Sequence, residues 1–147
     1  MANFRTALSF DDVLLVPKHS SILSRKYIDI SSSLSKKKYE LPIISSPMDT
    51  VTESDMVVCM DQSGGLGIIH RYNSIDDQVR LAVKATKKGA THIAAAIGVS
   101  GDYEERSQEL YCSGVRTLCI DIAHGHHTMM RDAIIKLRKM FGDTVSI

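Results

Sequence analysis

Cys119-Ile120-Asp121-Ile122-Ala123-His124-Gly125-His126-His127 carries an apolar strand into an acid, a glycine and a cluster of histidines. In α/β proteins the carboxyl ends of parallel strands present side chains to ligands, so an acid and a glycine at such a tip are candidate functional residues. A second tip lies upstream, at Ile44-Ser45-Ser46-Pro47-Met48-Asp49-Thr50-Val51-Thr52-Glu53.

Around these tips, short apolar runs alternate with amphipathic ones, the pattern of right-handed crossover units on a parallel sheet. Strands are predicted over residues 41–46, 66–70, 93–99 and 117–121. The helix after the first carries Met56, Val57 and Met60 inward, with Thr52 as its cap and Asp55 three residues on. Ser74 with Asp77 repeats that cap ahead of a stripe of Ile75, Val79, Ala82 and Val83. A third helix starts near Asp102 and carries Leu110; a fourth, over 128–141, buries Ile134 and Leu137. Gly65, Gly89, Gly114 and Gly142 close the helices at intervals of roughly 24 to 28 residues, a structural period with little self-similarity between the units.

Four βα units make half of a (β/α)8 TIM barrel, which typically needs about 250 residues. Thr144-Val145-Ser146-Ile147 reads as the start of strand five. The expectation is therefore a fragment, or a naturally short relative that hides an open sheet edge by pairing, and the isolated chain is expected to self-associate. Residues 1–40 stand outside the array as an N-terminal arm or cap, extended over 11–16 and 27–34. Residues 41–147 form the half-barrel.

The chain has 147 residues, 44% of them hydrophobic, and a formal net charge of +1. This suffices for one core and leaves no room for a separate regulatory module. Interspersed charges give no footprint for nucleic acid, and Lys36-Lys37-Lys38 reads as a solvated turn. No apolar run approaches the roughly 20 residues of a membrane span, and the N-terminal segment, with Arg5, Asp11, Asp12 and Pro17, does not read as an export signal. A soluble cytoplasmic protein is expected. Cys59, Cys112 and Cys119 lack metal-type spacing and lie in apolar patterns, so they read as buried thiols in a reducing compartment.

Each candidate residue also has a plain structural reading. Hydroxyls and acids ahead of a helix are commonly caps, which accounts for Thr52 but not for Ser46, Met48 and Asp49, because those precede the cap at the strand's carboxyl end. Asp121 either binds a backbone amide of the following loop or accepts both hydroxyls of a ribose, and Gly125 lets that loop approach such a ligand. His70 and Arg71 are either ordinary surface residues or a base stacker and a phosphate partner. His124, His126 and His127 lack accompanying carboxylates or thiolates, so no metal is assigned to them. Gly64-Gly65-Leu66-Gly67 precedes a strand and is no dinucleotide fingerprint.

Taken in order, Leu8-Ser9-Phe10-Asp11-Asp12-Val13-Leu14-Leu15-Val16-Pro17, the Ser45 to Glu53 tip, Gly64-Gly65-Leu66-Gly67-Ile68-Ile69-His70 and the Ile120 to His126 stretch resemble the IMP dehydrogenase/GMP reductase family. The resemblance covers essentially the whole chain and the first half of the family's catalytic barrel. It implies a purine-nucleotide oxidoreductase working through a covalent cysteine adduct at purine C2 and a nicotinamide cofactor. By resemblance Ser46 and Met48, with Asp49 beside them, contact the purine mononucleotide. His70, Arg71, Ser100, Asp121, Ile122, Ala123 and Gly125 line the cofactor side, with Asp121 on the nicotinamide ribose and Ile122-Ala123 beneath the ring. No catalytic residue is assigned within the chain. The family's nucleophilic cysteine is expected beyond residue 147, and the isolated chain is expected to be inactive.

Between the two family activities, Lys87-Lys88-Gly89 passes directly into Ala90 without the regulatory CBS modules of most dehydrogenases, and Ile122 after Asp121 is reductase-like. Met48-Asp49-Thr50-Val51-Thr52-Glu53 is closer to the dehydrogenase pattern. The resemblance is taken to point first to a GMP reductase, converting GMP and NADPH to IMP and ammonia. IMP dehydrogenase, converting IMP and NAD to XMP, is the alternative, and a noncatalytic half-barrel that binds a nucleotide or a partner enzyme is the alternative of another class. The resemblance also implies a homo-oligomer, a tetramer in the family, and a monovalent cation bound outside this segment.

Overall fold

The computed structural model describes residues 5–35 and 37–147, so Met1 to Phe4 and Lys36 lie outside the description. A 3-10 turn at Arg25–Tyr27 leads to a hairpin of β1 (Ser32–Leu34) and β2 (Lys37–Tyr39), paired antiparallel. Then follow β3 (Ile44–Ser45), α1 (Ser54–Gln62), β4 (Leu66–Ile69), α2 (Ile75–Lys87), β5 (Ala94–Ile97), α3 (Tyr103–Cys112), β6 (Thr117–Ile120) and α4 (Thr128–Phe141). The four later strands form one parallel sheet in chain order, β3-β4-β5-β6. This is an α/β fold built on a parallel sheet, and all four strand tips lie along one edge.

Alternation along the strands sorts the core into two faces. Ile69, Ala95, Ile97 and Leu118 pack against Val57, Ala82, Ala85, Leu110 and Leu137 from the helices. On the opposite face Leu66, Ile68, Ala94 and Ala96 gather with Tyr39 of the hairpin, and half-buried Cys119 joins them. Tyr111 and Phe141 meet at 5.0 Å between ring centroids, tying α3 to α4. Beside β6, Ser146 donates to Arg116 O at 2.9 Å and accepts from Leu118 N–H at 2.8 Å, which begins a further parallel pairing.

Several expectations change. The arm is irregular over 13–16 with a turn at Phe10 to Asp12, and of the 27–34 stretch only Ser32–Leu34 is a strand. Lys37 and Lys38 lie on β2 and not in a solvated turn; Lys37 Nζ sits 4.7 Å above the Tyr39 ring and 3.8 Å from Asp61. Thr52 does not cap α1. The N-cap is Glu53, and the buried Thr52 hydroxyl donates to Ser46 O at 2.6 Å and lies 2.9 Å from Ser45 Oγ. Met56 and Ile134 are each 37% exposed. Val57 and the Ala133, Leu137, Phe141 row hold the inward positions, and each outlier is the residue turned about 100° from them. Cys59 and Cys112 are exposed, because each lies two residues, a half-turn, beyond buried Val57 and Leu110. The residue with positive φ after α1 is Gly64 rather than Gly65.

Asp61 fastens the amino-terminal side of the sheet. Its side chain is 9% exposed, accepts from Thr91 N–H at 2.7 Å and Thr91 Oγ1 at 3.0 Å, and lies 3.4 Å from His92 Nδ1. Burial pushes its carboxyl up, but the Thr91 hydrogen bonds, Lys37 and His92 together hold it below the usual carboxylate range. A carboxyl lowered by folding contributes stability above its unfolded value, and that contribution is lost as pH falls through the folded one. Asp61→Asn is expected to destabilise the chain by about 2 kcal/mol at pH 7. The gap from wild type should begin to narrow below about pH 4 and be smaller at pH 3 than at pH 7, which urea unfolding at the two pH values measures.

Candidate functional site

The loop from β3 to α1 is closed by backbone bonds from Val51 and Thr52 to Met48 O at 3.0 and 2.9 Å, together with the Thr52 hydroxyl bond. That closure displays Ser46, Met48 and Asp49 at an exposed tip. Asp49 faces a cleft that it shares with Glu53, His70, Tyr72 and Asn73, so this part of the predicted set does converge with His70.

His70 follows the last residue of β4 and is 4% exposed. Its Nδ1 accepts from Tyr72 N–H at 3.2 Å, which places the proton of the neutral ring on Nε2. Among the described residues Nε2 has no hydrogen-bond partner, and it lies 3.6 Å from the Glu53 carboxylate. Asn73 Oδ1 is likewise buried without a partner. Orphaned buried polar atoms are uncommon, and here they face a cleft.

Arg71 turns the other way. Its Nε lies 3.6 Å from Asp121 Oδ2, beyond hydrogen-bond range, and is itself buried without a partner among the described residues. β4 and β6 flank β5, so their tips stand about 10 Å apart. Gly98 forms the β5 tip between them, and a Cβ there would stand in ordinary van der Waals contact with the Arg71 guanidinium, at 3.6 Å. Tyr72 covers the guanidinium from outside, 5.6 Å from its ring centroid. The Asp121 side chain is 32% exposed, so its carboxylate offers acceptor positions to solvent or to a ligand.

The remaining predicted residues are more dispersed. Ser100 is exposed on the β5–α3 turn, Ile122 is half-buried, and Ala123 and Gly125 are exposed. A Cβ at Gly125 would meet nothing within 4 Å and no positive φ holds it, so no close approach within the chain demands a glycine there. Gly125 lines a depression over α4, with His126, His127 and Arg131, that does not include Asp121. His127 caps α4, its Nδ1 accepting from Met129 N–H at 3.1 Å. Among the described residues, no group of three His, Cys, Asp or Glu side chains is placed to hold a metal ion. The Cys119 thiol is pushed up by burial and by Asp121, the reverse of an activated nucleophile.

Two residues at the base of this site were missed by the sequence reading. Gln78 is fully buried and Arg106 is 6% exposed, both directly beneath the β4 tip. Their signal was available: Gln78 stands three residues after Ile75 and four before Ala82, and Arg106 four before Leu110, polar residues on apolar stripes.

The architecture defines a class, a parallel α/β protein with an acid, a half-buried arginine and a buried histidine at its strand tips. The chain belongs to the IMP dehydrogenase/GMP reductase family: residues 7–147 match the IMP dehydrogenase / GMP reductase domain. It is 44% identical over 100 residues to the inosine-5′-monophosphate dehydrogenase of Nitrosopumilus maritimus, covering 67% of this chain and 21% of that protein. The Bacillus subtilis protein of the same name is 48% identical over 88 residues, 58% of this chain and 18% of that one. The Borreliella burgdorferi one is 30% identical over 188 aligned positions, 93% of this chain and 46% of that protein. The chain thus spans from about a fifth to about half of these relatives. No helix among the described residues is long and apolar enough to cross a membrane.

Proposed function

We propose that this chain supplies the first half of a (β/α)8 catalytic barrel, residues 41–147 behind an arm of residues 1–40, in an NAD-dependent IMP dehydrogenase. The observation that carries the reading is the Arg71–Asp121 pair across Gly98. An acid at a strand tip with free acceptor positions suits the two hydroxyls of a ribose, and a buried guanidinium N–H without a partner suits a ligand oxygen. Bound NAD would supply the hydride acceptor. Asp121 would hold its nicotinamide ribose, with Arg71, His70 and Ser100 beside it and Ile122-Ala123 beneath the ring. Ser46, Met48 and Asp49 would meet the IMP side, and the protein would act as a homo-oligomer.

The dehydrogenase replaces the reductase as first reading for two reasons. The relatives compared carry the name inosine-5′-monophosphate dehydrogenase, in line with the Met48 to Glu53 tip. Arg71, the candidate phosphate partner, already faces the Asp121 carboxylate, and the 2′-phosphate of NADPH would have to compete with it. The protein that carries this chain is expected to reduce NAD in the presence of IMP and not to oxidise NADPH in the presence of GMP. Spectrophotometric assay of both pairs decides it, and turnover of the GMP pair alone overturns the reading.

A further inference from the structure

The β4–β5 ladder pairs Ile68 with Ala94 and Ile69 with Ala95 and goes no further. Beyond it, His70 O and Ala96 O are neighbouring acceptors on adjacent strands. Gln78 of α2 supplies donors to both: Nε2 reaches His70 O at 2.9 Å and Ala96 O at 2.8 Å. Arg106 of α3 donates through Nη1 to Gln78 Oε1 at 2.9 Å. Arginine has no acceptor, so it fixes which end of the amide faces the strands. Its Nη2 donates to Asn73 O at 3.0 Å and to Asp102 Oδ2 at 2.7 Å. That bond holds the Asp102 carboxyl below its usual range, so the arginine's charge is balanced.

The turn after β4 is therefore held from below at both ends, at His70 O through Gln78 and at Asn73 O through Arg106. The residues between those points are Arg71 and Tyr72. We infer that Gln78 and Arg106 form a positioning clamp that sets Arg71 over Gly98 against Asp121, and so shapes the cofactor seat without touching the cofactor. The inference rests on the reading of Arg71 and Asp121 as that seat. Neither clamp residue reaches a reacting group, and both act through the backbone of the turn. Where the strand ladder ends, backbone acceptors at the tips need other donors, and side chains of two successive crossover helices provide them here.

The test uses Gln78→Met, which keeps the shape and removes the amide, and Arg106→Lys, which keeps the cation but not the three-acceptor fork. Leu137→Ala serves as a control that destabilises the fold away from the site. The first readout is hydrogen exchange at the Arg71 Nε–H by NMR without ligand, slow in wild type because that atom is buried. The second is NAD affinity by calorimetry. Exchange should quicken at least tenfold and affinity should fall at least tenfold in both clamp variants, while Leu137→Ala lowers the melting temperature and moves neither. If either clamp variant folds and keeps the wild-type Arg71 exchange rate, the clamp is refuted. If Gln78→Met fails to fold, Arg106→Lys decides alone. If wild type binds no NAD, the cofactor reading fails, and the exchange measurement still decides the clamp.

Discussion

Gly67→Ala is expected to destabilise this chain by about 3 kcal/mol, near the upper end for overpacked cores. Gly67 lies buried in β4, and its φ is not positive, so the glycine is not there for backbone freedom. A Cβ at this position would stand 2.7 Å from Val57 Cα and 3.1 Å from Val57 Cγ2. The nearest obstacle is helix backbone, and no rotamer change relieves it. The helix must retreat from the strand, which opens the contact around the fully buried Val57. Gly89 provides the comparison. It has φ +97° with nothing within 4 Å of a Cβ, so alanine there meets backbone strain only, about 1–2 kcal/mol. Urea unfolding of both variants should rank Gly67→Ala clearly below Gly89→Ala. The reverse order would mean that α1 does not seat on β4 as described.

That contact shows what sequence reading reaches and where it stops. The order of strands and helices was legible because period 2 and period 3.6 alternate along the chain and glycines punctuate them. α4 falls on residues 128–141 as expected, and the Ser74 cap is present, its Oγ accepting from Asp77 N–H at 3.1 Å. What pattern cannot supply is which of two adjacent apolar residues points inward on a short helix, as with Met56 beside Val57 and Ile134 beside Ala133. Nor can it tell a cap from a tertiary tie. Thr52 has the residue type and the Asp55 spacing of a cap, yet its hydroxyl is drawn 2.6 Å from the Ser46 carbonyl because the loop folds back on the strand tip.

The site divides in the same way. Asp121 and Arg71 were legible as strand-tip residues, and the structure brings them together. That they meet across the β5 tip at Gly98 is a relation among three strands that no local window contains. His70 was read as a surface residue or a base stacker; the surface reading fails, because the ring is buried, with one nitrogen engaged by the chain and the other without a partner among the described residues. Gln78 and Arg106 were absorbed into helices because only the third dimension places the ends of α2 and α3 under the same turn.

Asp121→Ala is the functional counterpart of Gly67→Ala, a large loss of binding with little loss of fold. If the carboxylate accepts two ribose hydroxyls, each charged hydrogen bond is worth about 1.5–3 kcal/mol, so NAD affinity should fall by about 100-fold or more. Stability should change by less than about 1 kcal/mol, because the carboxylate is a third exposed and its 3.6 Å approach to Arg71 is a weak surface pair. Asp121→Asn should fall between wild type and alanine, since an amide retains one acceptor and turns a donor toward the second hydroxyl. Calorimetric titration with NAD and urea unfolding of the same variants separate the two effects. Wild-type NAD affinity in Asp121→Ala would remove the acid from the cofactor's seat. A loss of stability matching the loss of affinity would instead make Asp121 a structural partner of Arg71, because a binding residue at an open strand tip loses its ligand without taking the sheet with it.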